Sequence, residues 1–234
     1  NCSDLGRIVV NADNPVYDSR NNCNAIIETA SNKLITGCMN TVVPNTVTSI
    51  GNAAFYRCEG LTSIKVPNSV TEIGEDAFER CISLNCVNIG NSVKTIGESA
   101  FYKCSSLTSI SLDCGVETID SWAFEDCIAL KDFYCFAENI PTIGSDIFSG
   151  VNLRSATLHV PAAYLEAYSA KSPWKIFGQI VPIGEGDGIE QVRGNTNSTN
   201  QIVYDLNGRR TTMMQKGINI LRDADGRIKK VLRK

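Results

Sequence analysis

Ten cysteines, one histidine and a set of turn carboxylates are the side chains in this chain that could bind a metal or take part in catalysis. Cys58, Cys81, Cys104 and Cys127 fall 23 residues apart, which places them at one position of a repeated unit. Zinc needs about four donors converging on a point, and one thiol per stacked unit gives a line instead. Units stacked roughly 4.8 Å apart would lie within disulfide reach, but parallel side-chain vectors suit that bond poorly. Burial as small apolar groups, a common state of free cysteine, suits the line best. Cys23 and Cys38 flank a hairpin-like stretch and are the pair best placed for a disulfide. Cys86, Cys114 and Cys135 stand off the line, and Cys86 aligns with Ser63 and Ser109 at an expected surface position.

His159 follows Leu158 and precedes Val160-Pro161, with no nucleophile and second base near it in sequence. Catalysis needs a nucleophile, a base and an orienting group together, so His159 reads as a solvated surface residue and no catalytic residue is assigned. Glu75, Asp76, Glu79, Glu125 and Asp126 lack the Asp-x-Asp-x-Asp-Gly order of a calcium loop. They read as solubilising charge. Neither a metal nor a cofactor is expected.

The elements that carry these residues come from a repeat. Ile50, Ile73, Ile96 and Ile119 keep a 23-residue step, as do Phe55, Phe78, Phe101 and Phe124, and Leu61, Leu84, Leu107 and Leu130. From Val70 one unit reads VTEIGEDAFERCISLNCVNIGNS. Ile140, Ile143 and Phe148 follow one 24-residue step later. Cys2, Leu5, Ile8 and Val10 repeat the Cys58, Leu61, Ile64, Val66 series, so the chain is expected to start inside a repeat, as a truncated protein would.

In each unit the alternation at Leu61–Val66 predicts a strand with Ile64 and Val66 inward. Pro67 has no N–H for a ladder and ends it. A second short extended piece follows at Val70–Ile73, Gly74 permits a bend, and Ala77-Phe78 sits on a tight 3₁₀-like turn. One unit cannot bury its own apolar side, so the units must stack into a continuous core. The expected fold is a β-rich solenoid with a 23-residue period and short 3₁₀ or helical turns.

Three segments interrupt or end the array, whose domain is read as residues 1–183. Residues 11–39 are an insertion, with Ala25–Thr29 and Leu34–Thr36 flanking a Ser31-Asn32 turn as a hairpin. Residues 161–183 read as a C-terminal helical cap: Pro161 can open a helix, Tyr164 and Tyr168 share a face, and Trp174 and Phe177 follow. Residues 184–200 are rich in Gly, Asn, Ser and Thr and read as a flexible linker. Residues 201–234 hold strand-like pieces from Ile202, Gly217 and Ile228, with Asn207-Gly208 and Asp225-Gly226 as turns, and read as a small β tail.

Val70-Thr-Glu-Ile-Gly-Glu-Asp-Ala-Phe-Glu-Arg-Cys81 and Leu61-Thr-Ser-Ile-Lys-Val-Pro67 closely resemble the BspA-like leucine-rich repeats, over about residues 1–160. The resemblance makes the expected solenoid a right-handed leucine-rich repeat and implies a secreted or cell-surface protein of the Bacteroidetes type, some members of which bind host matrix proteins. The Tyr204-Asp-Leu-Asn-Gly-Arg209 segment with its basic end resembles the C-terminal tails of exported Bacteroidetes proteins, some of which sort or anchor.

A formal charge of -3 argues against a nucleic-acid partner. No apolar run approaches the roughly 18 residues of a membrane span. What binding signal exists lies on the outward strand columns: Thr62, Asn85, Thr108, Lys131; Ser63, Cys86, Ser109, Asp132; and Lys65, Asn88, Ser111, Tyr134, His159. Lys131, Tyr134 and His159 cluster toward the C-terminal units and are the expected ligand contacts. Trp122 departs from its column of Ala53, Asp76 and Ser99. It is either an exposed contact on the other side, near Tyr102, or a ring packed on a neighbouring unit. The expected function is recognition or adhesion to a partner protein, including a host extracellular matrix protein. The alternatives are a structural spacer that displays other segments, or a carbohydrate-binding module that captures glycans through Trp122 and Tyr134.

Overall fold

The computed structural model describes residues 5–183 and, in the tail, the backbone of four strands. The chain forms two compact units, Asn1–Pro182 and Ile183–Lys234. In the first, one sheet of six strands is parallel throughout. Its strands are Ser63–Val66, Cys86–Ile89, Ser109–Leu112, Asp132–Cys135, Thr157–Val160 and Gln179–Pro182. A second sheet stacks the two-residue strands Ser49–Ile50, Glu72–Ile73, Thr95–Ile96, Thr118–Ile119 and Thr142–Ile143 in parallel.

The register is the sequence period made visible. Ile64 faces Val87, which faces Ile110, then Phe133 and Leu158. The inward member of each alternation is buried, and Leu107, Ile110, Ile96 and Phe101 are fully so. Phe55, Phe78, Phe101 and Phe124 stack with ring centroids 4.9, 5.1 and 5.4 Å apart and planes within 9°. A parallel stack this long is unusual for free aromatic pairs, which prefer offset or edge-on contacts. Here the spacing of the backbone imposes it.

The stretch around each Phe is hydrogen-bonded in its own way. Alternate amides close local turns, as Ala77 N–H to the Gly74 carbonyl and Glu79 N–H to that of Asp76. The others reach the next rung: Asp76 N–H to Glu98, Phe78 N–H to Ala100 and Arg80 N–H to Tyr102 carbonyls, at 2.9, 2.7 and 2.7 Å. The expected 3₁₀-like turn therefore does not propagate as a helix. Residues at φ near +55° interrupt it twice per unit: Ala53, Asp76, Ser99 and Trp122, then Arg57, Arg80, Lys103 and Asp126. Few non-glycine residues adopt this region, and here the inter-rung bonds hold them in it.

The glycine column has a different cause from the bend expected at Gly74. A Cβ on Gly74 would lie 2.8 Å from the Asn52 nitrogen, and one on Gly97 would lie 2.7 Å from the Glu75 nitrogen. Neither glycine is among the residues at positive φ. They are small because adjacent backbones touch there.

The array is closed at both ends of its sheets by irregular pieces. Ala25–Glu28 and Lys33–Gly37 pair antiparallel, and Lys33–Gly37 joins Ser49–Ile50 in parallel. Arg20 ties this insertion together by bonding both carboxylate oxygens of Asp18 and, at 2.6 Å, the side chain of Asn32. That guanidinium bond lowers the Asp18 pKa to about 2. At the other end Ala162–Tyr164 is a 3₁₀ turn and Leu165–Ala170 an α-helix. Tyr168, Trp174 and Phe177 bury against the last rungs, with Trp174 5.7 Å from Phe133 and Phe177 5.5 Å from Phe148, ring to ring. The chain then adds Gln179–Pro182 as a last parallel strand, so the helical cap expected over residues 161–183 ends in a strand.

In the second unit Ile202–Tyr204, Arg210–Thr211, Gly217–Arg222 and Ile228–Arg233 form an antiparallel sheet. The linker at 184–200 and the turns at 207–208 and 225–226 lie outside the described residues.

Phe101 has no exposed surface and a stacked ring on either side. Phe101→Ala should cost roughly 3–5 kcal/mol in denaturant unfolding, the usual range for a large aromatic cavity. A cost under about 1 kcal/mol, typical of an exposed site, would contradict the stacked core.

Candidate functional site

Strand register brings Lys65, Asn88, Ser111, Tyr134 and His159 into one column of the six-stranded sheet. Lys65 and Asn88 are exposed, as an outward column should be. Further along, the column changes character. Ser111 is buried, one rung from the bulkier Tyr134, and Tyr134 and His159 are half-buried. The two rings stack 4.0 Å apart at 14°. Asp132 pairs in register with Thr157, so His159 lies diagonally across from it, and Nε2 of His159 stands 2.9 Å from Asp132 Oδ1.

This corrects the solvated histidine expected from sequence. The His159 side chain is only 12% exposed, because the rung spacing that stacks the core phenylalanines also stacks an outward ring on an outward ring. Lys131 lies just before its strand and is exposed. Its amide donates to Thr108, and its carbonyl accepts from Thr157, each across one rung. The structure thus brings Lys131, Tyr134 and His159 to adjacent places on one sheet. It adds Asp132, whose partnership with His159 the sequence reading missed. The signal was present: once Tyr134 and His159 share a column, Asp132, two residues before Tyr134, lies on the diagonal to His159.

Trp122 does not join them. It sits in the turn column after Thr118–Ile119, at φ +57°, with its amide 3.0 Å from the Ser145 carbonyl. Its ring is 39% exposed.

The cysteine line is buried, from Cys58 at 6% exposed to Cys81, Cys104 and Cys127 at zero. Three of these thiols have a carbonyl partner. Cys81, Cys104 and Cys127 donate S–H to the carbonyls of Phe55, Phe78 and Phe101 at 3.1, 3.1 and 3.2 Å. Each of those carbonyls also accepts a backbone amide, that of Cys58, Cys81 or Cys104. A buried carbonyl has two lone pairs to satisfy, and a small residue with a weak donor fits the gap. Burial pushes the Cys58 thiol up to about 11 and raises those of Cys81, Cys104 and Cys127 as well. Protonated thiols neither ligate metal nor attack. Cys23 and Cys38, the expected disulfide pair, are free, their thiols directed at the Ala25 and Asn24 carbonyls. Cys86 and Cys114 are exposed. Among the described residues no three of His, Cys, Asp and Glu gather as a metal would require.

Among the turn carboxylates Asp76 is perturbed. Burial, together with a hydrogen bond to Glu79 and its charge, raises the Asp76 pKa from 3.8 to about 6.

Parallel strands at a fixed step, a laddered core and a turn column without regular helix define a leucine-rich-repeat solenoid. The profile described as BspA type Leucine rich repeat region matches six copies over residues 32–154, and the chain belongs to that family. Among solved structures, the leucine rich repeat protein of T. pallidum is similar, with a TM-score of 0.54 at 20% identity, covering 75% of this chain and 83% of that one. The pneumococcal vaccine antigen PcpA is 19% identical with a TM-score of 0.46, over 67% of this chain and 33% of the antigen. A leucine rich cell surface protein of Faecalibacterium prausnitzii A2-165 is 20% identical with a TM-score of 0.44, over 96% of this chain and 61% of that one. No curated protein matches the sequence.

Asp76 gives a test with a defined sign. Its folded pKa lies above the unfolded value, so ionising it costs stability as pH rises from about 4 to about 6. Asp76→Asn keeps a residue tolerant of positive φ. It should raise the melting temperature at pH 7 and leave it unchanged near pH 3.5. An equal gain at both pH values would show that the carboxyl is not strained.

Proposed function

We propose that the solenoid is a non-catalytic recognition module, secreted or held at a cell surface, that binds a partner protein through its six-stranded sheet. The observation that carries this reading is the patch at the C-terminal rungs. Earlier rungs show solvent small groups and one lysine: Thr62, Ser63, Lys65, Asn85, Cys86, Asn88 and Thr108. At Lys131, Asp132, Tyr134 and His159 the same columns carry both charges and a stacked aromatic pair. Aromatic and charged side chains on a stiff surface are the common material of interface hot spots, and solenoids bind ligands on their repeated faces.

The setting supports the reading. The resemblance of the repeats to secreted and surface proteins favours an extracellular partner, with a host matrix protein as the leading class. No helix among the described residues is long and apolar enough to cross a membrane.

The test is an array of extracellular matrix proteins and glycans, probed with the whole chain and with a Lys131/Tyr134/His159 triple alanine variant. The expected result is retention on a protein spot, weakened at least tenfold in the variant. Each tenfold step is about 1.4 kcal/mol, a modest loss for three hot-spot side chains. Retention on glycans alone would replace the protein partner with a carbohydrate. No retention of either chain would favour a spacer.

A further inference from the structure

The geometry points to a second interaction surface, on the turn column around Trp122, that takes a basic segment of a partner protein. It goes beyond the sheet-face reading and uses none of its residues. Three observations meet there.

The first is an exposed aromatic. The column around Trp122 otherwise holds Ala53, Asp76, Ser99 and Asp146, all small or acidic. Trp122 puts a ring on that surface and leaves 39% of it in solvent.

The second is a cleft beside it. The Trp122 amide is bonded to the carbonyl of Ser145. The residues on either side of Ser145, Gly144 and Asp146, line an open cleft of about 340 Å³. Its walls are largely aliphatic, with Ile143, Ile147 and Ile176 among them, and Ile176 is 44% exposed. That volume is at the small end of ligand pockets and has room for one or two side chains of a bound segment.

The third is charge. The turns of the rungs around Trp122 carry Asp120, Glu125, Asp126 and Asp146, while Lys131 and Asp132 belong to the sheet face. Lys103 lies 3.9 Å from Asp126. A ring face in such a field attracts a cation. An arginine or lysine of the partner lies on the indole with Asp146 or Asp120 in reach, and an adjoining aliphatic side chain enters the cleft. A neutral ligand would leave the charge unanswered.

The test is selection of a random dodecapeptide display library on the whole chain, followed by titration of a selected, synthesised peptide. Two variants serve as controls: Trp122→Ala, which removes the ring, and Asp146→Asn, which removes one charge and keeps the shape. The expected result is enrichment of peptides that place Lys or Arg beside an aliphatic residue. Their affinity falls at least tenfold in Trp122→Ala, and measurably in Asp146→Asn and at high salt. It is unchanged in the Lys131/Tyr134/His159 triple alanine variant, so failure here is separable from failure of the sheet face. Enrichment without basic residues, equal affinity for Trp122→Ala, or no enrichment would overturn the proposal. Retention of neutral oligosaccharides that depends on Trp122 would overturn it in favour of a sugar.

Discussion

The backbone of one rung hydrogen-bonds to the next along both sheets and along the turn column, and this fixes a common step of about 5 Å through the whole array, seen in the Phe ring spacings of 4.9 to 5.4 Å. Most of the side-chain choices follow from that step. A residue repeated at one position meets its own copy, so each column must tolerate itself. Phenylalanine stacks flat, and branched aliphatics interlock. Glycine occupies Gly74 and Gly97 because neighbouring backbones approach too closely for a Cβ. Cysteine fills the corner where a carbonyl has a lone pair to spare. Each unit gains little alone and much from its neighbours, the nearest-neighbour energetics of solenoids.

The same step shapes the surface. An outward column places like on like at van der Waals distance, which suits Tyr134 on His159 and is unfavourable for repeated like charge. Some charges pair across rungs, as Lys94 with Glu117 and Lys103 with Asp126, while Arg57, Arg80 and Lys103 share one column. Within one rung, burial and the neighbouring Glu79 raise the pKa of Asp76. A stiff backbone and the ring stack hold Tyr134 and His159 in fixed places on the sheet.

Much of the architecture was legible in the sequence because a solenoid is periodic twice, along the strand and along the array. Ile64 and Val66 were placed inward by alternation, and the cysteine line was placed in the core by its period. What was not legible depends on contacts between rungs. Nothing in the letters Ala77-Phe78 shows that alternate amides bond to the next unit. Gly74 looked like a bend and is a point of contact. Gln179–Pro182 is too short and too close to Trp174 to stand out as a strand, and it gains its identity from the Thr157–Val160 edge. His159 was aligned with Tyr134 by the repeat, but its bond to Asp132 was not legible, because that residue lies 27 positions back and diagonally across the strand pair rather than opposite it.

Amide hydrogen exchange across the turn column tests the central claim most directly. If inter-rung bonds hold the array, the amides of Phe78, Arg80, Phe101 and Lys103 should exchange as slowly as those of the central strands Cys86–Ile89 and Ser109–Leu112. Exchange at these turn amides as fast as in the exposed segment around Asp13 would show that the turns are mere connections, and the account of a rung held on every side would fail.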